Sequence, residues 1–223
     1  MNVRIFPFIM LAVSSFLVAC EKDNYEPPKS TLSGRVIYQD QPVGVRTNGV
    51  QLELWQRGYQ LFTKIPVYVA QDGSFSASLF DGDYKLVRLR GNGPWVDNTD
   101  TIPVQVRGSV TVDVPVQPYY ALRNQTFQRN TTNLTATCKV DPVSTTRAIE
   151  RVTLYVGTTQ FVDANNNAGN INLTGTALAD LTKNLTFNYT LPAAIANRTP
   201  LYVRIGVKTV GIAELLYTPV QKI

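Results

Sequence analysis

The sequence predicts an all-β chain built as two β-sandwich domains, and three observations carry that prediction. Apolar residues recur with a period of two, as in Phe75, Ala77 and Leu79 or in Leu201, Val203, Ile205 and Val207, which gives a strand one apolar face. Tyr, Val, Thr and Phe are plentiful while stretches of helical period are scarce. Turn residues separate the alternating stretches, and Pro115 to Pro118 mark a boundary near the middle. The chain has 223 residues, 44% hydrophobic and 17% charged, an ordinary globular composition long enough for two small domains.

Residues 1–19 read as a targeting segment. Arg4 precedes an apolar run from Ile5 to Val18, and that run is too short for a bilayer, which needs about 20 residues. It ends Leu17-Val18-Ala19-Cys20, which resembles a bacterial lipobox and implies that Cys20 receives lipid. Several acyl chains, at roughly 0.8 kcal/mol per buried methylene, would hold a domain durably on a membrane. Residues 20–30 form a polar, proline-containing tether. Its Glu21 and Asp23 resemble the surface-export signal of Bacteroidetes lipoproteins, which implies the outer face of the outer membrane; the alternative is a solvated linker.

The first domain is expected over 31–118. Leu32, Gly34, Val36 and Tyr38 open a strand, and Asp40-Gln41-Pro42 turns it. Val50, Leu52 and Leu54 alternate with Gln51, Glu53 and Trp55, and Ile65, Val67 and Val69 form the next strand. The stretch from Asp72 to Leu86 reads as strand, Asp81-Gly82-Asp83 turn and strand, a hairpin with an Asp-Gly pair suited to positive φ. A glycine-rich loop from Gly91 to Asp100 follows, and valines from Val104 to Val116 close the domain.

The second domain is expected over 119–223. Leu134, Ala136, Cys138 and Val140 share one strand face, as do Val152, Leu154 and Val156, and then Leu185, Phe187 and Tyr189. An asparagine-rich loop precedes a helical turn or two at Thr176 to Leu181. This pattern reads as an immunoglobulin-like sandwich.

The first domain's Ser33-Gly34-Arg35-Val36, Asp72-Gly73-Ser74-Phe75 and Asp81-Gly82-Asp83-Tyr84 resemble carboxypeptidase-regulatory-like domains, relatives of the transthyretin sandwich that are usually non-catalytic. Cys20-Glu21-Lys22-Asp23, Asn48 to Trp55, Gly91-Asn92-Gly93-Pro94-Trp95, Leu154-Tyr155-Val156-Gly157 and Phe161-Val162-Asp163 together carry a second likeness. Through them the whole mature chain resembles a set of two-domain Bacteroidetes lipoproteins of unknown function, encoded beside SusC/SusD-type glycan-uptake pairs. The resemblance implies a role in glycan capture, with SusC/SusD-type uptake proteins as partners, and supplies no binding residues.

Composition excludes several functions. The chain has no histidine, which removes His-based triads and the usual zinc and iron sites. With two cysteines, Cys20 and Cys138, no disulfide framework is expected. The formal charge of +5 is scattered along the chain with no nucleic-acid groove, and no cofactor is expected.

The first candidate ligand site is the 91–100 loop, where Trp95 would offer an aromatic face and Asn92, Asp97, Asn98 and Asp100 would offer hydrogen bonds to sugar hydroxyls. The alternative is a Trp folded back as a lid on the core. Trp55, Tyr59 and Phe62 form a second aromatic cluster that could bind sugar, dock a protein partner or simply pack at a strand edge. Asp163-Ala164-Asn165-Asn166-Asn167 starts like a calcium loop but places Ala168 where glycine is needed and Thr174 where Glu is needed, so a plain turn is expected. Cys138, in phase with apolar neighbours, is expected to be buried and inert. The glycine-flanked aspartates read as turn residues rather than a glycosidase pair. The expected function is therefore a non-enzymatic glycan-binding surface lipoprotein. The alternative is a docking accessory of the uptake complex that binds no sugar itself.

Overall fold

The computed structural model describes residues 26–58 and 62–223, so Cys20 and Tyr59 lie outside the described residues. Nearly all regular structure is β, arranged as two sandwiches in tandem.

In the first sandwich, one layer is centred on β1 (Ser30–Tyr38), which pairs antiparallel with β2 (Gln41–Pro42) and β5 (Ser74–Leu79). Two short strands, β8 (Ser109–Thr111) and β9 (Val114–Pro115), run parallel beside it. The facing layer has the order β4-β3-β6-β7, from Lys64–Tyr68, Gln51–Gln56, Gly82–Arg88 and Thr101–Val106 respectively. Leu32, Val36, Phe75 and Leu79 of one layer meet Leu52, Leu54, Leu86 and Val104 of the other in a shared buried core. Both edge strands of the second layer carry a proline, Pro66 and Pro103, which cannot donate to an added strand.

The hairpin expected at Asp81-Gly82-Asp83 is not formed. The strand ending at Leu79 pairs with β1, whereas the strand starting at Gly82 pairs with β3 and β7, so the chain crosses from one layer to the other. Both strands turn their apolar residues into the same core from opposite sides, and period-two alternation is identical in the two cases. The positive-φ glycine sits one turn earlier, at Gly73 (φ 85°), where Gly73 N donates to Ala70 O at 3.0 Å. A Cβ there would also stand 2.7 Å from Val43 O, so this turn requires glycine on two counts.

The second sandwich sets β10 (Tyr120–Asn130), β11 (Asn133–Pro142) and β14 (Leu185–Thr190) against a second layer of β13 (Gly169–Leu173), β12 (Ile149–Gly157), β15 (Tyr202–Thr209) and β16 (Leu216–Tyr217). The terminal β17 (Gln221–Lys222) also pairs with β15. Cys138 lies fully buried among Leu134, Ala136 and Val140, and burial pushes its thiol up to about 12. The helical turn expected after the asparagine-rich loop is one 3-10 turn, Gly175–Leu178. Asp163 closes its own loop, accepting from Asn165 N at 2.8 Å and Asn166 N at 3.0 Å. Among the described residues no group of three acidic or cysteine side chains could hold a metal.

The two sandwiches share one continuous core cluster and a polar seam. Gly44 bridges to Tyr217, and Arg46 pairs with Glu214 at 2.6 Å. Arg204 is fully buried in this seam: its Nε donates to Thr218 O at 2.8 Å and its Nη2 donates to Gln71 O of the first sandwich at 2.7 Å. The guanidinium also lies 4.3 Å from the centre of the Tyr217 ring. Burial brings its pKa down to about 10 and pushes the Tyr217 phenol up.

Candidate functional site

The 91–100 loop does not present its tryptophan to solvent. Trp95 is only 4% exposed, and its backbone bridges to Pro118 at the start of the second sandwich. Flanking bonds run from Val96 N to Gln117 O at 2.9 Å and from Tyr119 N to Pro94 O at 3.3 Å. Gly93 lies against the Trp95 ring so closely that a Cβ would stand 2.2 Å from it. Three side chains of the loop accept from the protein's own backbone. Asn92 Oδ1 accepts from Gln51 N at 2.5 Å, Asp97 Oδ1 from Gly91 N at 2.7 Å, and Asn98 Oδ1 from Asp100 N at 2.6 Å. Asp100 contributes its carbonyl, which accepts from Arg88 Nη2 at 3.1 Å. Trp95 is thus the lid on the core, and the loop is a clasp between the sandwiches. An exposed ring, which stacking requires, is missing there.

Trp55 has the opposite setting. On β3, Leu52 and Leu54 point inward and are fully buried, so Glu53 and Trp55 project from the outer face of the β4-β3-β6-β7 sheet. Pairing register then fixes their neighbours. Trp55 stands between Lys64 and Lys85, with Pro103 beyond, while Glu53 stands between Pro66 and Val87, with Thr101 beyond. Cross-strand neighbours on one face are close enough for side chains to touch.

Two contacts hold the Trp55 ring, and a third braces one of them. Its Nε1–H donates to Glu53 Oε2 at 3.1 Å, and the other oxygen of the same carboxylate accepts from Lys64 Nζ at 2.6 Å. Phe62, 54% exposed, packs against the indole with ring centres 5.0 Å apart and planes tilted by 42°. Glu53 itself is 6% exposed, a carboxylate held beneath this cover by two donors. The result is a half-buried aromatic platform whose indole N–H is already satisfied.

Beside the platform lies a cleft of about 580 Å³, lined by Trp55, Phe62, Lys85, Val87 and Pro103 among others. That volume falls within the roughly 300–1,000 Å³ of small-ligand sites. Asp83 on its rim is paired with Arg107 at 3.4 Å and accepts from Gln105 at 3.1 Å. Asp83 on the rim and Glu53 beneath the platform are therefore both engaged by the protein's own donors. The arrangement can stack a ring and hydrogen-bond its edges.

The aromatic members of this site stand out in the sequence, but the parts that set it do not. Glu53, Lys64 and Lys85 are ordinary charges until register places them around Trp55. The alternation of Glu53 with the buried leucines was the one available signal.

Residues 30–117 match the N-terminal domain of DUF3823, a protein family of unknown function, and residues 120–222 match DUF3823_C, a domain of unknown function. A DUF3823 family protein from Bacteroides ovatus is 40% identical, with 87% of this chain and 98% of that one covered and a TM-score of 0.81. Another from Parabacteroides merdae is 33% identical, with 89% and 100% covered and a TM-score of 0.82. The same fold at 18% identity, with 88% and 99% covered and a TM-score of 0.72, occurs in a Bacteroides uniformis protein described as a candidate carbohydrate binding protein. No curated protein matches the chain significantly.

Proposed function

We propose that this chain, which belongs to the DUF3823 family, is a non-enzymatic glycan-binding lipoprotein of the outer-membrane surface. The observation that carries the reading is the Trp55 platform: a ring pinned by Glu53 and Phe62, partly exposed, beside a cleft of ligand size. A sugar ring has an apolar face that stacks on an indole and a rim of hydroxyls that needs nearby donors. Lys64, Lys85, Gln56 and Thr101 stand around the ring to supply them. Because the indole is fixed before binding, little ordering cost falls on association. The carbohydrate role ascribed to the Bacteroides uniformis protein of like fold agrees with this reading.

In this reading Cys20 carries the lipid and residues 20–30 lift the sandwiches from the membrane, with SusC/SusD-type uptake proteins as neighbours. No step of bond cleavage is assigned, since Glu53 and Asp83 are both held by internal donors.

The exposure of Phe62 and Tyr68, at 54% and 52%, favours a second reading in which this sheet face docks a protein and binds no sugar. Native gels of residues 21–223 cast with a panel of polysaccharides separate the two. Glycan capture requires retardation by at least one glycan in the wild type and its loss in Trp55→Ala. Trp95→Ala, which alters the clasp, should leave retardation in place wherever that variant is folded. Migration unchanged across the whole panel would remove the glycan reading and leave docking.

A further inference from the structure

We infer that the Trp55 cleft takes an anionic saccharide, one carrying a uronate carboxylate or a sulfate ester; this rests on the glycan-binding reading. Positive charge is left over at this cleft once internal pairs are set aside. Glu53 is occupied by Lys64 and the Trp55 indole, and Asp83 by Arg107 and Gln105. Arg57 and Lys85 remain, both exposed, and neither side chain has a hydrogen bond or ion pair among the described residues. Lys85 is the direct cross-strand neighbour of Trp55 on β6, and Arg57 follows two residues after Trp55 at the end of β3. Lys64 adds a third cation on the opposite flank, with one of its three N–H donors given to Glu53.

A neutral sugar on the ring would leave two unmatched cations at its edge. A ring bearing a carboxylate or sulfate could place that group toward Lys85 or the Arg57 fork while its apolar face covers the indole. Charge-assisted bonds of this kind are shorter and stronger than those to hydroxyls. They also fix the direction in which the ring lies on the platform.

The test uses residues 21–223 with matched probes by titration calorimetry: polygalacturonate against its methyl ester, and chondroitin sulfate against chemically desulfated chondroitin. Neutral glucans, xylans and mannans complete the panel. The expected result is binding to an acidic member that is lost on masking its charge. Loss on esterification identifies the carboxylate as the group read, and loss on desulfation identifies the sulfate. The double variant Arg57→Gln, Lys85→Gln should bind that member roughly tenfold more weakly, a loss that grows smaller as salt rises. Its urea midpoint should match the wild type, since both side chains are exposed. Binding confined to neutral glycans and dependent on Trp55 would overturn this inference and leave the glycan reading intact. Acidic binding that the double variant retains would also overturn it, since scattered charge would then be the cause. No binding to any probe would remove both.

Discussion

Replacing Arg204 tests how the two sandwiches are joined. Its guanidinium donates to Thr218 O at 2.8 Å and to Gln71 O at 2.7 Å, and it lies 4.3 Å from the Tyr217 ring centre. Hydrogen bonds from a charged donor contribute about 1.5–3 kcal/mol each. A desolvated cation on an aromatic face adds about 2 kcal/mol. Against these, burial that brings the pKa down to about 10 corresponds to roughly 3 kcal/mol disfavouring the cation. The balance favours arginine by about 3 kcal/mol. Arg204→Met keeps the stem but removes both donors, so it should destabilise residues 21–223 by about that amount. Arg204→Ala should cost about 2 kcal/mol more, because a void replaces the stem. Urea unfolding followed by far-UV circular dichroism at neutral pH gives both values. A methionine variant within 1 kcal/mol of the wild type, or above it, would refute the reasoning. It would mean that the cost of burying this charge outweighs its contacts, as happens for some buried ion pairs.

Other expectations follow from the same contacts. Trp95→Ala should cost about 3–5 kcal/mol in urea unfolding, because a buried ring leaves the clasp between sandwiches; a cost below 1 kcal/mol would contradict the lid assignment. The Cys138 thiol, fully buried and pushed up to about 12, should not react with a thiol reagent at pH 8 until denaturant is added, and fast reaction in the native state would contradict its burial. With no histidine, stability should be flat from about pH 5 to 8. It should fall below about pH 4, where Asp72, Asp81, Asp113 and Asp180 protonate. Bonds from Ser74, Ser30, Arg35 and Thr182 hold these carboxyls below their usual range in the fold. Their contribution is therefore present above the unfolded value and lost as pH falls through the folded one. A thermal-shift series over pH 2–9 checks the profile, and a step between 5 and 8 would contradict it.

The strands were legible because burial of one sheet face writes itself directly into alternation. Cys138 shows this well: its phase with Leu134, Ala136 and Val140 already placed it in the core. Alternation does not say which strand lies beside which. The stretch from Phe75 to Leu86 alternates throughout, yet it crosses between layers at Phe80 and Asp81 instead of folding into a hairpin. Between its two readings, the direction of the 91–100 loop's side chains was not legible for a related reason. Composition names the groups a loop owns, but their direction depends on partners far away, such as Gln51 for Asn92 and Pro118 for Trp95. Trp55 and Phe62 were visible as a cluster, whereas the Glu53 carboxylate that pins the indole becomes meaningful only once Lys64 pairs opposite Trp55.

The most direct test of glycan binding at Trp55 is a fluorescence titration, because the chain has two tryptophans and Trp95 is buried. Residues 21–223 would be titrated with the glycan that retards them in gels, beside Trp55→Phe. A saturable change in emission in the wild type, absent from Trp55→Phe with Trp95 still present, is the predicted result. Saturable binding by calorimetry with no change in Trp55 emission would place the glycan elsewhere and contradict the account.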